Sequence, residues 1–277
     1  MQIRTYGISG PTVIVLHGGP AAVGEAAPIA RHLAPPFHVL EPWQRGSGGA
    51  PLTVARHVGD LHELVQVHCG ADRPALVGES WGAMLVLAYA AAHPQNAGPI
   101  VLIGCGTFDP ISRARMTAIL EERMDDGLRR QLERLSAEYP DAGERLTRQF
   151  ELTQPLYLFD PIVADASDEQ APPFDILAHL ETWADMIRLQ EAGLYPAAFA
   201  AIESPVLMLH GGYDPHPGRM IRASLQPYLP KLEYREWADC GHKPWLEKAV
   251  REEFFMVVRE WLTRHLITRE SPCCDGR

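Results

Sequence analysis

Ala75-Leu76-Val77-Gly78-Glu79-Ser80-Trp81-Gly82-Ala83-Met84-Leu85-Val86-Leu87-Ala88-Tyr89-Ala90 decides the fold of this chain. The first three residues form a short apolar run, as in a strand buried on both faces. Residues 83–90 are apolar all round and too long for a strand, so they read as a buried helix. Between them, Gly78-Glu79-Ser80-Trp81-Gly82 must turn the chain sharply from strand to helix. A nucleophile on such a turn needs small neighbours, because a Cβ two positions to either side of the serine would crowd it. The helix that follows offers its N-terminal amides and positive dipole end to a developing oxyanion. Five-residue G-x-S-x-G patterns are common; the strand before and the helix after make Ser80 the expected nucleophile.

Working outward, Leu16-His17-Gly18-Gly19-Pro20 closes an apolar run at 12–16. An oxyanion hole needs two backbone N–H donors aimed at one point. Trp81, next to the nucleophile, is expected to supply one, and Gly19 the other, since Pro20 has no N–H. Downstream lie Leu209-His210-Gly211-Gly212-Tyr213-Asp214-Pro215 and Asp239-Cys240-Gly241-His242-Lys243-Pro244-Trp245, each a loop after a strand-like run. Serine is a weak nucleophile until a base takes its proton, and the base needs a carboxylate to fix its tautomer. His242 is the expected base and Asp214 the expected acid, with Asp109 as rival for the acid role. With 12 histidines in the chain, His17, His210 and His216 are read as structural.

Apolar runs at 12–16, 38–40, 75–77, 99–103, 206–209 and 232–237 alternate with helical stretches, the pattern of a mostly parallel α/β sheet covered on both faces. The alternation stops between Asp109 and about Ala201, where charged helical sequence takes over, including 113–135 and 177–189. The expected organisation is a core of residues 1–108 and 201–268, an inserted helical cap at 109–200, and a disordered tail at 269–277. Charge runs in the insertion read as solvated helix faces. A net charge of −10 argues against nucleic acid as a partner. No apolar run approaches the ~20 residues needed to span a bilayer, and the start lacks a signal peptide's blocks, so a cytoplasmic protein is expected. The five cysteines make no metal or redox motif.

With those residues in place, the chain resembles the α/β-hydrolase superfamily, and within it the proline iminopeptidase-like branch. His17-Gly18-Gly19-Pro20 is similar to that branch's oxyanion turn, Gln44-Arg45-Gly46-Ser47-Gly48 to its second signature loop, and Cys240-Gly241-His242-Lys243-Pro244-Trp245 to its histidine loop. The resemblance implies an α/β-hydrolase fold with the triad named above and no cofactor. The sequence departs from the branch at Ala21, where glycine is usual, at Pro42-Trp43-Gln44, which lacks an aspartate before the glutamine, and at Glu79, where glycine is usual. Type-B carboxylesterases carry glutamate at the position of Glu79. With only about ten residues before the first long strand, the branch's N-terminal hairpin should shrink to one strand.

These residues point to hydrolysis of a small carboxylic ester or lactone through an acyl-enzyme, needing no metal or organic cofactor. Alternatives are release of an N-terminal residue, proline above all, from short peptides; hydrolysis of a carbon–carbon bond; and a ligand-sensing receptor on the same scaffold. Glu181 and Glu191 could anchor a substrate amine, but the preferred reading is that they are exposed helix-face glutamates. Arg45 is the candidate partner for Glu79, with backbone amides or water alone as the equal alternative. Nothing in the sequence indicates an oligomeric state.

Overall fold

A computed structural model describes residues 1–162 and 172–267 of the chain. The tail expected at 269–277, with Cys273 and Cys274, lies outside the described residues. In chain order, β1 (Ile3–Tyr6) and β2 (Thr12–Leu16) lead through α1 (Ala27–Leu33) to β3 (His38–Pro42). Then come α2 (Val54–Cys69), β4 (Ala75–Glu79), α3 (Trp81–Ala92) and β5 (Ile100–Ile103). Helices α4 (Pro110–Arg123), α5 (Asp126–Glu138), α6 (Ala142–Thr153) and α7 (Ile176–Glu191) follow. The chain returns to the sheet with β6 (Val206–Gly211), α8 (Gly218–Leu225), β7 (Leu232–Trp237) and α9 (Arg251–Leu266).

The strands form one sheet in the order β1-β3-β2-β4-β5-β6-β7, parallel throughout except for β1, which runs antiparallel to β3. One strand, β1, precedes β2, as expected. Alternate residues of each central strand face opposite layers. Ile14, Leu16, Leu76 and Leu102 pack with α2 and α3, whereas Val13, Val15, Val77 and Val101 pack with α1 and α9. Both faces are therefore dry, which is why these strands read as continuous apolar runs.

The order reverses between β2 and β4, whose C-terminal residues pair Leu16 with Gly78. In an open α/β sheet the crevice at such a switch point is where ligands bind. Here the glycine turn after β2 and the elbow after β4 open into one crevice.

Between β5 and β6 the expected helix over 113–135 is two helices. Met124 is extended (φ −70°, ψ 122°) and Asp125 caps α5, its carboxylate accepting from the Leu128 amide at 2.7 Å. Asp125-Asp126-Gly127 are poor helix-interior residues, and a capped restart satisfies more backbone than continuation would. Asp109, Asp141 and Asp175 cap α4, α6 and α7 in the same way. Part of the acidic sequence read as solvated face is thus helix-starting chemistry.

Three further carboxylate contacts tie α7 to the loop before α2. Asp175 accepts from the Ser47 amide at 2.7 Å, Glu181 from Leu52 at 2.8 Å and Asp185 from Val54 at 2.9 Å.

Candidate active site

Ser80 sits at the junction of β4 and α3 with φ 53° and ψ −112°, one of two non-glycine residues with positive φ among the described residues. L-residues seldom adopt this conformation, and holding one there stores strain on the order of 1–3 kcal/mol. The turn is tight enough that a Cβ on Gly78 would strike the Gly82 carbonyl, and one on Gly82 the Leu16 carbonyl. The serine N–H is held by the Ile103 carbonyl at 2.8 Å, fixing the elbow to β5.

Asp214 and His242 meet as expected. His242 Nδ1 donates to Asp214 Oδ2 at 2.7 Å, and both residues are buried. The His242 loop is clamped from two sides. Its own amide donates to the Tyr157 carbonyl at 2.7 Å, and buried Glu247 accepts from Gly241, Phe159 and Asp160 amides at 2.8–2.9 Å.

His210 and His216 are not bystanders. His216 donates to Asp214 Oδ1 from its backbone amide at 2.9 Å and from Nδ1 at 3.0 Å, and His210 Nε2 lies 3.1 Å from Oδ2. The His216 ring also stacks on His242, with centroids 4.6 Å apart. Burial opposes ionisation of Asp214, but the surrounding imidazoles, His242 foremost, hold its carboxyl well below the usual range. Asp214, His216 and His242 could also bracket a metal ion, with ligand atoms within 4.8 Å of one another. Both Asp214 oxygens are already taken by N–H donors.

Asp109 is elsewhere. Its two oxygens accept from the Ser112 amide at 2.8 Å and hydroxyl at 2.6 Å.

Burial lowers the His242 pKa below the ordinary 6.5, although Asp214 pulls it upward. Were His242 the general base, it would work only when neutral. The acid limb of kcat/KM is therefore expected below pH ~6.5, with turnover falling as pH drops through it. A limb above that value in the pH–rate profile would contradict the burial of this imidazole.

The glycine turn is locked to the elbow by a buried network invisible in the sequence. Gln44 donates from its amide nitrogen Nε2 to the His17 carbonyl at 2.9 Å, and its Oε1 accepts from the Trp81 indole at 2.7 Å. The Gln44 backbone N–H donates to His17 Nε2 at 3.1 Å, leaving His17 Nδ1 to donate to the Gly18 carbonyl at 2.9 Å. Burial drives the His17 pKa down to about 4, so it is neutral at physiological pH and holds this tautomer. The expected donors Gly19 and Trp81 both line the cavity that contains Ser80 and His242. Gln44→Leu would strand the indole N–H and the His17 carbonyl, for an expected loss of roughly 3 kcal/mol in urea unfolding and a lower kcat.

That cavity measures about 480 Å³ and is walled by Phe150, Tyr157, Phe174 and Trp183 from the insertion. A second cleft of about 410 Å³, between Met1 and α2, is lined by Arg45 and Asp60 and holds no serine.

A family model described as the alpha/beta hydrolase fold matches residues 11–249. The chain belongs to the α/β-hydrolase fold family. A probable proline iminopeptidase of Streptomyces coelicolor is 36% identical over 112 residues, 35% of this chain and 34% of that one. The chain thus matches about a third of the length of such curated relatives. A thermophilic esterase from Thermogutta terrifontis superposes with TM-score 0.62 at 20% identity, covering 96% of this chain and 93% of its own. A proline iminopeptidase from Mycobacterium smegmatis gives 0.65 at 19% identity, covering 97% and 96%. At such identities the solved structures speak for the α/β-hydrolase fold alone.

Within this α/β hydrolase, the candidate Glu79–Arg45 pair does not form. Arg45 turns outward to Asp60, at 2.5–2.7 Å and half exposed. Its loop leaves the same end of the sheet as the elbow, but the Arg45 side chain pairs with Asp60, while the neighbouring Gln44 bonds His17 and Trp81. Burial raises the Glu79 carboxyl to a pKa of about 7, against the opposing pull of Lys243, which itself bonds Glu25 at 2.6 Å. Of the other acids, Glu181 bonds Leu52 as described above, Glu191 is exposed, and neither lines the cavity.

Proposed function

We propose that this chain is a serine hydrolase that cleaves small carboxylic esters or lactones through an acyl-enzyme. Ser80 attacks the carbonyl while His242 accepts its proton and then delivers it to the leaving group. Asp214 holds the imidazole tautomer, and the amides of Trp81 and Gly19 bind the oxyanion. The observation that carries this reading is the 2.7 Å His242–Asp214 bond opening on the same cavity as a serine held at positive φ. Residues 109–200 act as a cap, since their aromatic side chains wall that cavity. An apolar wall suits an uncharged acyl group.

A second reading, aminoacyl hydrolysis with proline first, is favoured by the proline iminopeptidase relatives and by Glu25 and Glu79 on the cavity lining. The two separate on p-nitrophenyl acetate or butyrate and short lactones against proline p-nitroanilide. Faster turnover of the esters and lactones is expected. Preference for the anilide by kcat/KM would reverse the order, and no turnover of any substrate would return the chain to a binding role.

A further inference from the structure

Glu79 takes no part in the triad chemistry above, yet it stands inside it. It is 2% exposed and lines the cavity beside Ser80. Its Oε1 lies 4.0 Å from His242 Nε2, the atom that must handle the transferred proton. Its Oε2 is buried and makes no well-formed hydrogen bond among the described residues, although the Gly18 backbone N–H lies close enough to favour the ionised carboxylate. Room for the carboxyl comes from Gly18, where a Cβ would collide with it. Burying a carboxyl without an arginine or lysine contact is costly, so the fold keeps it against its own stability.

The spacing defines what fits between the two groups. A separation of 4.0 Å is too long for a direct hydrogen bond. It is also too short for a water in line. A water set to one side, about 2.8 Å from each atom, reaches both with an angle of roughly 90° at its oxygen.

We infer that Glu79 is a positioning residue for deacylation: it holds the hydrolytic water against His242 Nε2. This rests on the acyl-enzyme reading given above. Once Ser80 Oγ is esterified, no serine hydroxyl competes for Nε2. The water donates one hydrogen to Nε2 and the other to Glu79 Oε1, which leaves a lone pair for the acyl carbon. A C–O bond forms as one water proton passes to Nε2, and the carbonyl electrons move onto the oxyanion. Collapse of that intermediate breaks the C–Oγ bond, and Nε2 returns its proton to Oγ. Glu79 neither gains nor loses a proton, and the acid product leaves. Acylation uses no such water, so Glu79 acts on the second half-reaction alone.

Rapid mixing with p-nitrophenyl butyrate reads the two halves separately, the burst giving acylation and the steady state deacylation. Intact mass of quenched enzyme reports the butyryl adduct on Ser80. Glu79→Ala is expected to slow deacylation by roughly 10²-fold. Acylation and kcat/KM should stay within about threefold, so KM falls alongside kcat and the adduct accumulates. Glu79→Gln keeps one acceptor oxygen and the shape of the side chain. It should slow deacylation by about tenfold with acylation spared, and it carries the test if the alanine variant fails to fold. Equal loss in both steps, or no loss in either, would overturn the assignment while an adduct on wild-type Ser80 left the acyl-enzyme reading standing. Absence of any adduct in wild type and in both variants, with turnover present, would overturn both.

Discussion

Replacing Ser80 by alanine is expected to cut turnover of p-nitrophenyl butyrate by roughly 10⁴- to 10⁶-fold, because triad members act as one unit. Fold and melting temperature should survive, since the hydroxyl makes no structural hydrogen bond among the described residues. Alanine keeps a Cβ at φ 53° and so keeps the strain. Glycine does not: Ser80→Gly should be equally inactive and more stable, by about 1 kcal/mol. Loss of function accompanied by a gain in stability would mark the elbow as strain retained for catalysis. A serine-reactive phosphonate should label Ser80 in the wild type and neither variant. Labelling at another residue, or an active alanine variant, would remove Ser80 from the mechanism.

Ser80 is legible in sequence because its signal is local: a strand, a glycine-flanked turn and a buried helix occupy 16 consecutive residues. The six apolar runs are legible for a related reason. Strands buried on both faces need no partner information to be recognised, and Thr12–Leu16 forms with the bounds its composition indicates. Leu232–Trp237 also forms with the expected bounds, although it is an edge strand with exposed residues between its buried ends. Helix breaks in the insertion are harder. Asp125 as a cap and Asp125 as a surface charge look alike until the backbone before it is seen to be extended.

What does not show in sequence is anything set by long-range approach. Gln44 reaches Trp81 across 37 positions and Glu247 reaches Phe159 across 88. His216 seemed structural because proximity to Asp214 in sequence says nothing of where its ring points. The structure turns that ring back onto the carboxylate and stacks it on His242, which sits 26 positions further along. The same holds for Glu79: Arg45 leaves the same end of the sheet, but its side chain pairs with Asp60 instead.

Asp214→Asn should be the most damaging change outside the nucleophile and base, lowering kcat by about 10⁴-fold. The four donors around the carboxylate explain why. His242 Nδ1 and His210 Nε2 face Oδ2, and the His216 amide and Nδ1 face Oδ1. Asparagine must present one oxygen and one NH₂ to these two sides. The backbone N–H of His216 cannot change its tautomer, so the oxygen belongs on that side. The NH₂ then points at His242 Nδ1, and the imidazole answers by moving its proton to Nε2. In that tautomer Nε2 can no longer accept from Ser80, and the base is lost although every heavy atom stays in place. Asp109→Asn should behave oppositely, because asparagine caps α4 through Ser112 as well as aspartate does. Its kcat/KM should stay within about threefold of wild type. Measured on one ester, a crippled Asp109→Asn beside an active Asp214→Asn would transfer the acid's role to the end of β5.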